Sequence, residues 1–204
     1  MQRERALVLN ALGVVGFAMA AACAADDQTS PRSSFELVVE RLEAPGSGSG
    51  GAHRTFVESD VLTAGRVVRD TVRATLRLVA RDPSILPGPA APTTSVFATI
   101  DRYRVRYVRS DGRNVPGIDV PHPWDGALTL LVSIEGRIGD LVLVRPSAKL
   151  EPPLVKLRGG GGDVVINALA YVTFYGRDHA GARIEATGAI TIEFADWSDS
   201  GPME

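Results

Sequence analysis

The chain has 204 residues, with 22 lysine and arginine residues against 24 aspartate and glutamate residues and a formal net charge of −2. A charge this close to neutral excludes recognition of nucleic acid through bulk charge alone. The single cysteine excludes an intramolecular disulfide, so the apolar core has to stabilise the fold. The length is enough for one domain with a sizeable core.

The first residues have the three-part layout of an export signal. Arg3 and Arg5 are followed by an apolar stretch from Ala6, and small residues fill positions 20–22. This layout predicts that residues 1–22 are a signal peptide that is removed on export. The alternative is an uncleaved helix over residues 6–25, although Asn10 and the lack of a basic flank on the far side argue against it.

The only cysteine, Cys23, follows directly on this segment. Residues 19–23, MAAAC, resemble a bacterial lipobox, with Ala20 where leucine is usual. The resemblance implies that Cys23 is lipidated and becomes the mature N-terminus, which makes the membrane a partner through a stable anchor. Ala24 in place of aspartate favours the outer membrane by analogy with enterobacteria. Ordinary signal cleavage, giving a secreted protein, is the alternative.

Residues 23–34 are small and polar after the cysteine and are interpreted as a lipidated tether, and residues 35–204 as the folded domain. Alternating apolar residues, which are typical of half-buried strands, occur in residues 71–81, 101–108 and 188–194. The alternation buries Tyr103 and Tyr107. Further strands are expected at residues 35–42, 128–134, 141–144, 154–157 and 164–175, and a short helical turn within 58–70.

Short strands separated by glycine, proline and aspartate predict an all-β fold, an antiparallel sandwich of about seven to nine strands. Residues 172–194 resemble the final hairpin of bacterial immunoglobulin-like or fibronectin-type modules, in which a strand enters an Asp-x-Ala-Gly turn and returns. The matching residues are Asp178, Ala180 and Gly181. The resemblance implies an immunoglobulin-like sandwich. Gly181 suits the positive φ of such a turn, and Asp178 can accept hydrogen bonds from its amides.

The longest loop, residues 110–126, is the candidate ligand-contacting segment, because loops carry function on such scaffolds. Its candidate residues are Asp119, His122, Trp124 and Asp125. One interpretation is a carbohydrate-binding module that uses Trp124 with Tyr103 or Tyr107 as a platform. Others are a calcium loop using Asp111, Asp119 and Asp125, or a hydrolase site using Asp119, His122 and Asp125. The simplest is a crossover between sheets in which Trp124 covers the edge of the core.

Two strands place arginines on their polar faces. If both strands lay in one sheet, Arg73 and Arg77 would join Arg102, Arg104 and Arg106 in a basic surface suited to anionic glycans or lipid headgroups. Like charges directly opposite each other destabilise a sheet. A neutralised, solvated face, with neighbours such as Glu185 and Glu193, is therefore the favoured interpretation.

No motif indicates an enzyme, a cofactor or a metal. Residues 46–51, GSGSGG, satisfy a dinucleotide-binding spacing, but no apolar helix follows them. The three histidines are scattered, and no nucleophile elbow occurs. We therefore expect a lipid-anchored, extracytoplasmic, non-catalytic binding module of the bacterial cell envelope, with a protein or glycan partner.

Overall fold

Segments in which apolar and polar residues alternate form long strands, and every second side chain along them is buried. The computed structural model describes residues 32–46, 52–85 and 96–197. Within them lie eight strands: β1 (Phe35–Glu43), β2 (Phe56–Asp60), β3 (Asp70–Ala80), β4 (Phe97–Val108), β5 (Trp124–Ser133), β6 (Arg137–Val144), β7 (Ile166–Asp178) and β8 (Arg183–Ala195). The α-helix α1 (Pro146–Lys149) is a single turn, and 3₁₀ helices occur at Pro83–Ile85 and Leu154–Leu157.

The strands form two sheets. One has three strands in the order β1-β3-β6, and the other has five in the order β2-β8-β7-β4-β5 and curls into half a barrel. Every pairing is antiparallel except that of β2 with β8, which is parallel. The expectation of an all-β fold is confirmed, whereas the expectation of antiparallel pairing throughout is wrong at this one edge.

The core lies between the sheets. On β3 the buried side chains are Val72, Ala74, Leu76 and Leu78, and the facing sheet contributes fully buried residues that include Phe174 and Phe194. The period-two alternation read in residues 71–81, 101–108 and 188–194 is therefore confirmed, since each segment lies in a strand with that burial pattern.

Two local expectations are wrong. Residues 58–70 contain no helix, because Val57 and Ser59 alternate with exposed neighbours in the short strand β2. Residues 154–157 form a 3₁₀ helix and not a strand. Pro152 and Pro153 precede this turn, and it buries Leu154 and Leu157, which stand three residues apart as a 3₁₀ turn requires.

The turn between β7 and β8 has the geometry expected of it. Gly181 has φ of +84°, and Asp178 Oδ1 accepts hydrogen bonds from the amides of Ala180 and Ala182, each at 2.9 Å. The candidate signal peptide, Cys23 and residues 46–51 lie wholly or largely outside the described residues. In the part of the chain that is described, no helix is long and apolar enough to cross a bilayer.

Candidate binding face

Strand β4 separates its tyrosines from its arginines. Tyr103 and Tyr107 point into the core and are both buried, as predicted. Their hydroxyls donate to backbone carbonyls of β6 in the opposite sheet, Tyr103 to Val142 at 3.0 Å and Tyr107 to Leu143 at 2.6 Å. Burial raises the pKa of both phenols. Both tyrosines are buried and hydrogen-bond one sheet to the other, so neither can serve as the exposed platform of a carbohydrate-binding module.

The two arginine-bearing strands belong to different sheets, so the single basic surface joining them does not exist. β3 is the middle strand of the three-stranded sheet, whereas β4 lies in the five-stranded sheet. On β3, Arg73 pairs with Asp140 at 3.2 Å and Arg77 with Glu40 at 2.5 Å. The β3 arginines are thus neutralised by carboxylates of the strands on either side.

On β4, one carboxylate serves two arginines. Arg102 lies 2.7 Å and Arg104 3.3 Å from the two oxygens of Asp125 on the neighbouring strand β5. The expected neutralising residues, Glu185 and Glu193, lie on β8, and β7 separates β8 from β4. Arg106, two residues further along β4, makes no ion pair with any residue that the structure describes. Positive charge therefore exceeds negative charge along this row.

Two tyrosines that the sequence analysis missed lie beneath these arginines. Tyr175 is the register partner of Arg102 and Tyr171 that of Arg106, both on β7. The guanidinium of Arg102 lies 4.1 Å from the ring centroid of Tyr175, and that of Arg106 lies 5.0 Å from the ring centroid of Tyr171. Such a cation–π contact holds a guanidinium close to the tyrosine ring without neutralising its charge. We call Arg102, Arg104, Arg106, Tyr171 and Tyr175 the arginine face.

The loop between β4 and β5 adds a concave feature at one end of this face. A cavity of about 150 Å³ lies between the last residues of β4 and the loop, and Pro116, Pro121 and Pro123 line it together with Arg106. Proline fixes φ and stiffens the loop around the cavity. Arg106 is the only charged residue among those that line it. The loop joins neighbouring strands of one sheet, so the expectation that it crosses between the sheets is wrong.

The four candidate residues of the loop point in different directions. Asp119 accepts a hydrogen bond from the amide of Val115 at 3.1 Å, and His122 is exposed. The ring of His122 lies against Gly117, where an added Cβ would stand 2.4 Å from its Nε2. These two residues shape the loop itself, and no hydrogen bond joins them to each other among the contacts described.

The other two candidates begin β5 and lie on opposite sides of the sheet. Trp124 is half-buried at the edge of the core. Its ring packs edge-to-face with that of Tyr103, with 5.5 Å between the ring centroids, and the guanidinium of Arg145 lies over it at 5.0 Å from its centroid. This is the core-covering position that the simplest interpretation gave it. Asp125 lies on the arginine face. The structure therefore places Asp125 apart from Asp119 and His122.

The aspartates considered for calcium are each engaged elsewhere. Asp111 forms an ion pair with Arg109, and that hydrogen bond lowers the pKa of the Asp111 carboxyl. Asp119 and Asp125 have the amide and arginine partners already described. Among the described residues, no three histidine, cysteine, aspartate or glutamate side chains form a group that could hold a metal ion.

A second charged group, also missed from the sequence, lies inside the protein. Lys149 is 1% exposed, and its Nζ donates to Asp70 at 2.9 Å and to the carbonyl of Asp60 at 2.7 Å. The other oxygen of Asp70 accepts from Ser59 at 2.6 Å. Burial raises the pKa of the Asp70 carboxyl, and the nearby Lys149 partly offsets that effect. Buried on all sides, the Lys149 ammonium has a structural role.

The half-buried tyrosines Tyr171 and Tyr175 escaped notice because both faces of β7 carry apolar side chains. In residues 166–175, INALAYVTFY, both sets of alternate residues contain apolar or aromatic side chains, so the pattern does not tell which set faces outward. Their position beside the Arg102 strand follows only from sheet order.

Comparison of the chain with protein-family models, with curated proteins and with solved structures finds no match.

Proposed function

We propose that this protein is a non-catalytic binding module of the bacterial cell envelope and that its arginine face binds an acidic glycan. The observation that carries the proposal is Arg106, an exposed guanidinium stacked on Tyr171 with no carboxylate partner among the described residues. Arginine pairs with carboxylate groups in a bidentate geometry, so an oriented and unneutralised guanidinium is suited to a sugar acid.

The spacing of the face favours a repeating ligand. Arg102, Arg104 and Arg106 are alternate residues of one strand, so their side chains recur at about 7 Å along the outer surface of the sheet. A polymer that carries an acidic group on successive sugars can engage several of them at once. The cavity next to Arg106 gives this row a defined end, where a small apolar substituent of the ligand can lie against the prolines.

Affinity electrophoresis through gels that contain polygalacturonate or dextran tests the proposal. The wild-type chain should be retarded by the acidic polymer and not by the neutral one, and added salt should reduce the retardation. Substitution of Arg102, Arg104 and Arg106 by glutamine should abolish the effect. The matched control replaces Arg41, Arg73 and Arg77, which lose the same charge from the other sheet. Equal retardation of both triple variants would contradict the proposal.

Support for a non-catalytic role comes from the loop residues. Asp125 is held by two arginines on the outer surface, whereas Asp119 is engaged within the loop. A hydrolase would need an acid and a base within reach of the same reacting atoms. The carboxylates considered for that role face different surroundings.

The membrane attachment through Cys23 belongs to the same proposal. Its support is the lipobox-like sequence of residues 19–23 after an apolar segment. Intact mass of the protein expressed in a bacterial host, compared with Cys23→Ala, tests it. A mature chain that begins at Cys23 and carries acyl chains is expected, and the variant should lack them. An unacylated wild-type product would make this a secreted module.

We propose, too, that the fold is related to immunoglobulin-like sandwiches. The support is the pair of sheets and the Asp178 turn between the last two strands. The parallel β2–β8 edge and the curled five-stranded sheet are features that such a relationship has to accommodate. An experimental structure superimposed on those domains would test it through the order of strands in the two sheets.

A further inference from the structure

Strand β4 continues beyond its pairing with β5. The last pair between them is Val105 with Trp124, whereas β4 runs on to Val108 and stays paired with β7 as far as Leu169. In an antiparallel strand, the N–H and C=O groups of successive residues point alternately to the two sides. At least one of residues 106–108 therefore turns both groups toward the side that β5 has left.

The loop between β4 and β5, residues 109–123, closes that side without pairing with the strand edge. Among the backbone hydrogen bonds of the described turns and loops, none joins residues 106–108 to this loop. Pro116, Pro121 and Pro123, which line the cavity from the loop, have no N–H to donate. The cavity therefore has an unpaired strand edge on one side and apolar rings on the other. Such an edge needs a hydrogen-bonding partner from water or from a ligand.

A secondary amide with a small apolar end suits this cavity. An acetamido group carries an N–H, a C=O and a methyl group. It can bond to the strand edge as a neighbouring strand would and place its methyl group against the prolines. Val108 and Val120 extend the apolar wall. At about 150 Å³ the cavity has the volume of about five water molecules, which is enough for this group but not for several residues of a peptide.

Arg106 adds a site for a carboxylate beside the same cavity. It is the only charged residue among those that line the cavity, and it forms no ion pair with any residue that the structure describes. Its guanidinium can bind a carboxylate through two parallel hydrogen bonds. A sugar that carries both a carboxylate and an acetamido group can therefore engage Arg106 and the strand edge together.

We infer that the cavity selects, among acidic glycans, those whose sugars carry an acetamido group. The amide bonds to the edge of residues 106–108, the methyl group lies against the prolines, and the carboxylate pairs with Arg106. This selectivity rests on the proposed function of the arginine face, and it adds which acidic sugars that face prefers.

Two small ligands that differ only in the acetamido group test the inference. They are the methyl glycoside of N-acetylneuraminic acid and its analogue with a hydroxyl in place of the acetamido group, which has the same carboxylate and the same charge. Two-dimensional NMR titration of the mature chain should show amide shifts at residues 106–108 with the acetamido compound and not with the analogue. The acetamido compound should have a Kd about ten-fold lower, because the analogue lacks the amide hydrogen bonds.

A variant that fills the cavity gives an independent test. Pro116 is exposed, so Pro116→Trp should fold, and its ring should occupy part of the cavity. It should raise the Kd of the acetamido compound about ten-fold, to that of the analogue, and leave retardation by polygalacturonate unchanged. The matched control is Pro83→Trp, at an exposed proline of a 3₁₀ turn, which should change neither measurement.

The outcomes separate this selectivity from the proposed function. Equal Kd values for the two compounds, or amide shifts that leave out residues 106–108, would overturn the inference, while arginine-dependent retardation by polygalacturonate would still support glycan binding. Absence of that retardation would overturn the proposed function and the selectivity with it.

Discussion

The Lys149–Asp70 pair and the Arg102–Asp125 pair join the same kinds of charge in opposite surroundings. Lys149 is 1% exposed and Asp70 17%, whereas Arg102 and Asp125 are 48% and 39% exposed. Inside the protein, neither charge can recover its lost hydration if the partner is removed. At the surface, water and salt screen the attraction, so the pair contributes little to stability. The same contact therefore serves structure in one place and leaves charge available for recognition in the other.

The largest expected effect comes from removing the buried cation. Lys149→Met should lower the free energy of unfolding by about 3–5 kcal/mol, because Asp70 then remains buried as an unpaired charge. Urea denaturation measures the change. Lys156→Met is the matched control: it removes the chain's other lysine from an exposed position, and it should change stability by less than about 0.5 kcal/mol. Similar losses in the two variants would contradict the structural role of Lys149.

The second partner can be removed as well. Adding Asp70→Asn to Lys149→Met should restore about 1–3 kcal/mol, since the neutral amide no longer needs a counter-ion and can still accept the Ser59 hydrogen bond. A double-mutant cycle built from urea denaturation of the four proteins gives the coupling between the two sites. Additive losses would mean that the charges stabilise the fold independently of each other.

The pH dependence follows from the raised pKa of Asp70. A carboxyl whose pKa is higher in the folded protein than its unfolded value of 3.8 holds its proton longer when folded. Its contribution to stability is therefore greatest below the unfolded pKa and falls as pH rises through the folded pKa. Lys149→Met should raise that pKa further. The stability difference between wild type and this variant should then shrink as pH is lowered from 7 towards 4, and a difference independent of pH would contradict this.

The smallest effect on stability is expected at the surface. Asp125→Asn should change the free energy of unfolding by less than about 1 kcal/mol, because both of its arginines are largely solvated. It should nevertheless strengthen retardation by polygalacturonate, since Arg102 and Arg104 lose the carboxylate that pairs with them. Asp140→Asn, which frees Arg73 on the other sheet, is the control and should leave retardation unchanged. A weaker interaction after Asp125→Asn would mean that Asp125 positions the arginines for binding.

Much of the fold could be predicted because β3, β4 and β8 alternate cleanly between apolar and polar residues. Where alternation was short or absent, prediction failed: β2 has five residues, and Leu154–Leu157, LVKL, is a short segment that fits a strand and a 3₁₀ turn equally well. The order of strands in the sheets could not be predicted either. Nothing local to residues 71–81 and 101–108 tells which sheet each strand joins, so the two arginine rows could not be separated.

The candidate site was less predictable for the same reason. Arg102, Arg104 and Arg106 were found from alternation alone, but their partner Asp125 comes from β5 and their tyrosines from β7. The burial of Lys149 could not be predicted, because a lone lysine in a turn is usually solvated. Its burial depends on Asp60 and Asp70, which are distant in the sequence.

The position of β1 has a mechanical consequence. β1 is an edge strand that follows the proposed tether in the sequence, and its ladder with β3 is antiparallel along almost its whole length. A pull on the tether acts along β1, perpendicular to those hydrogen bonds, so they are loaded together in shear and not broken one after another. Under the proposed attachment at Cys23 and the proposed binding of a glycan, the domain would bear tension between these two points, and the hydrogen bond of Ser33 to Asp178 would be the first to take the load.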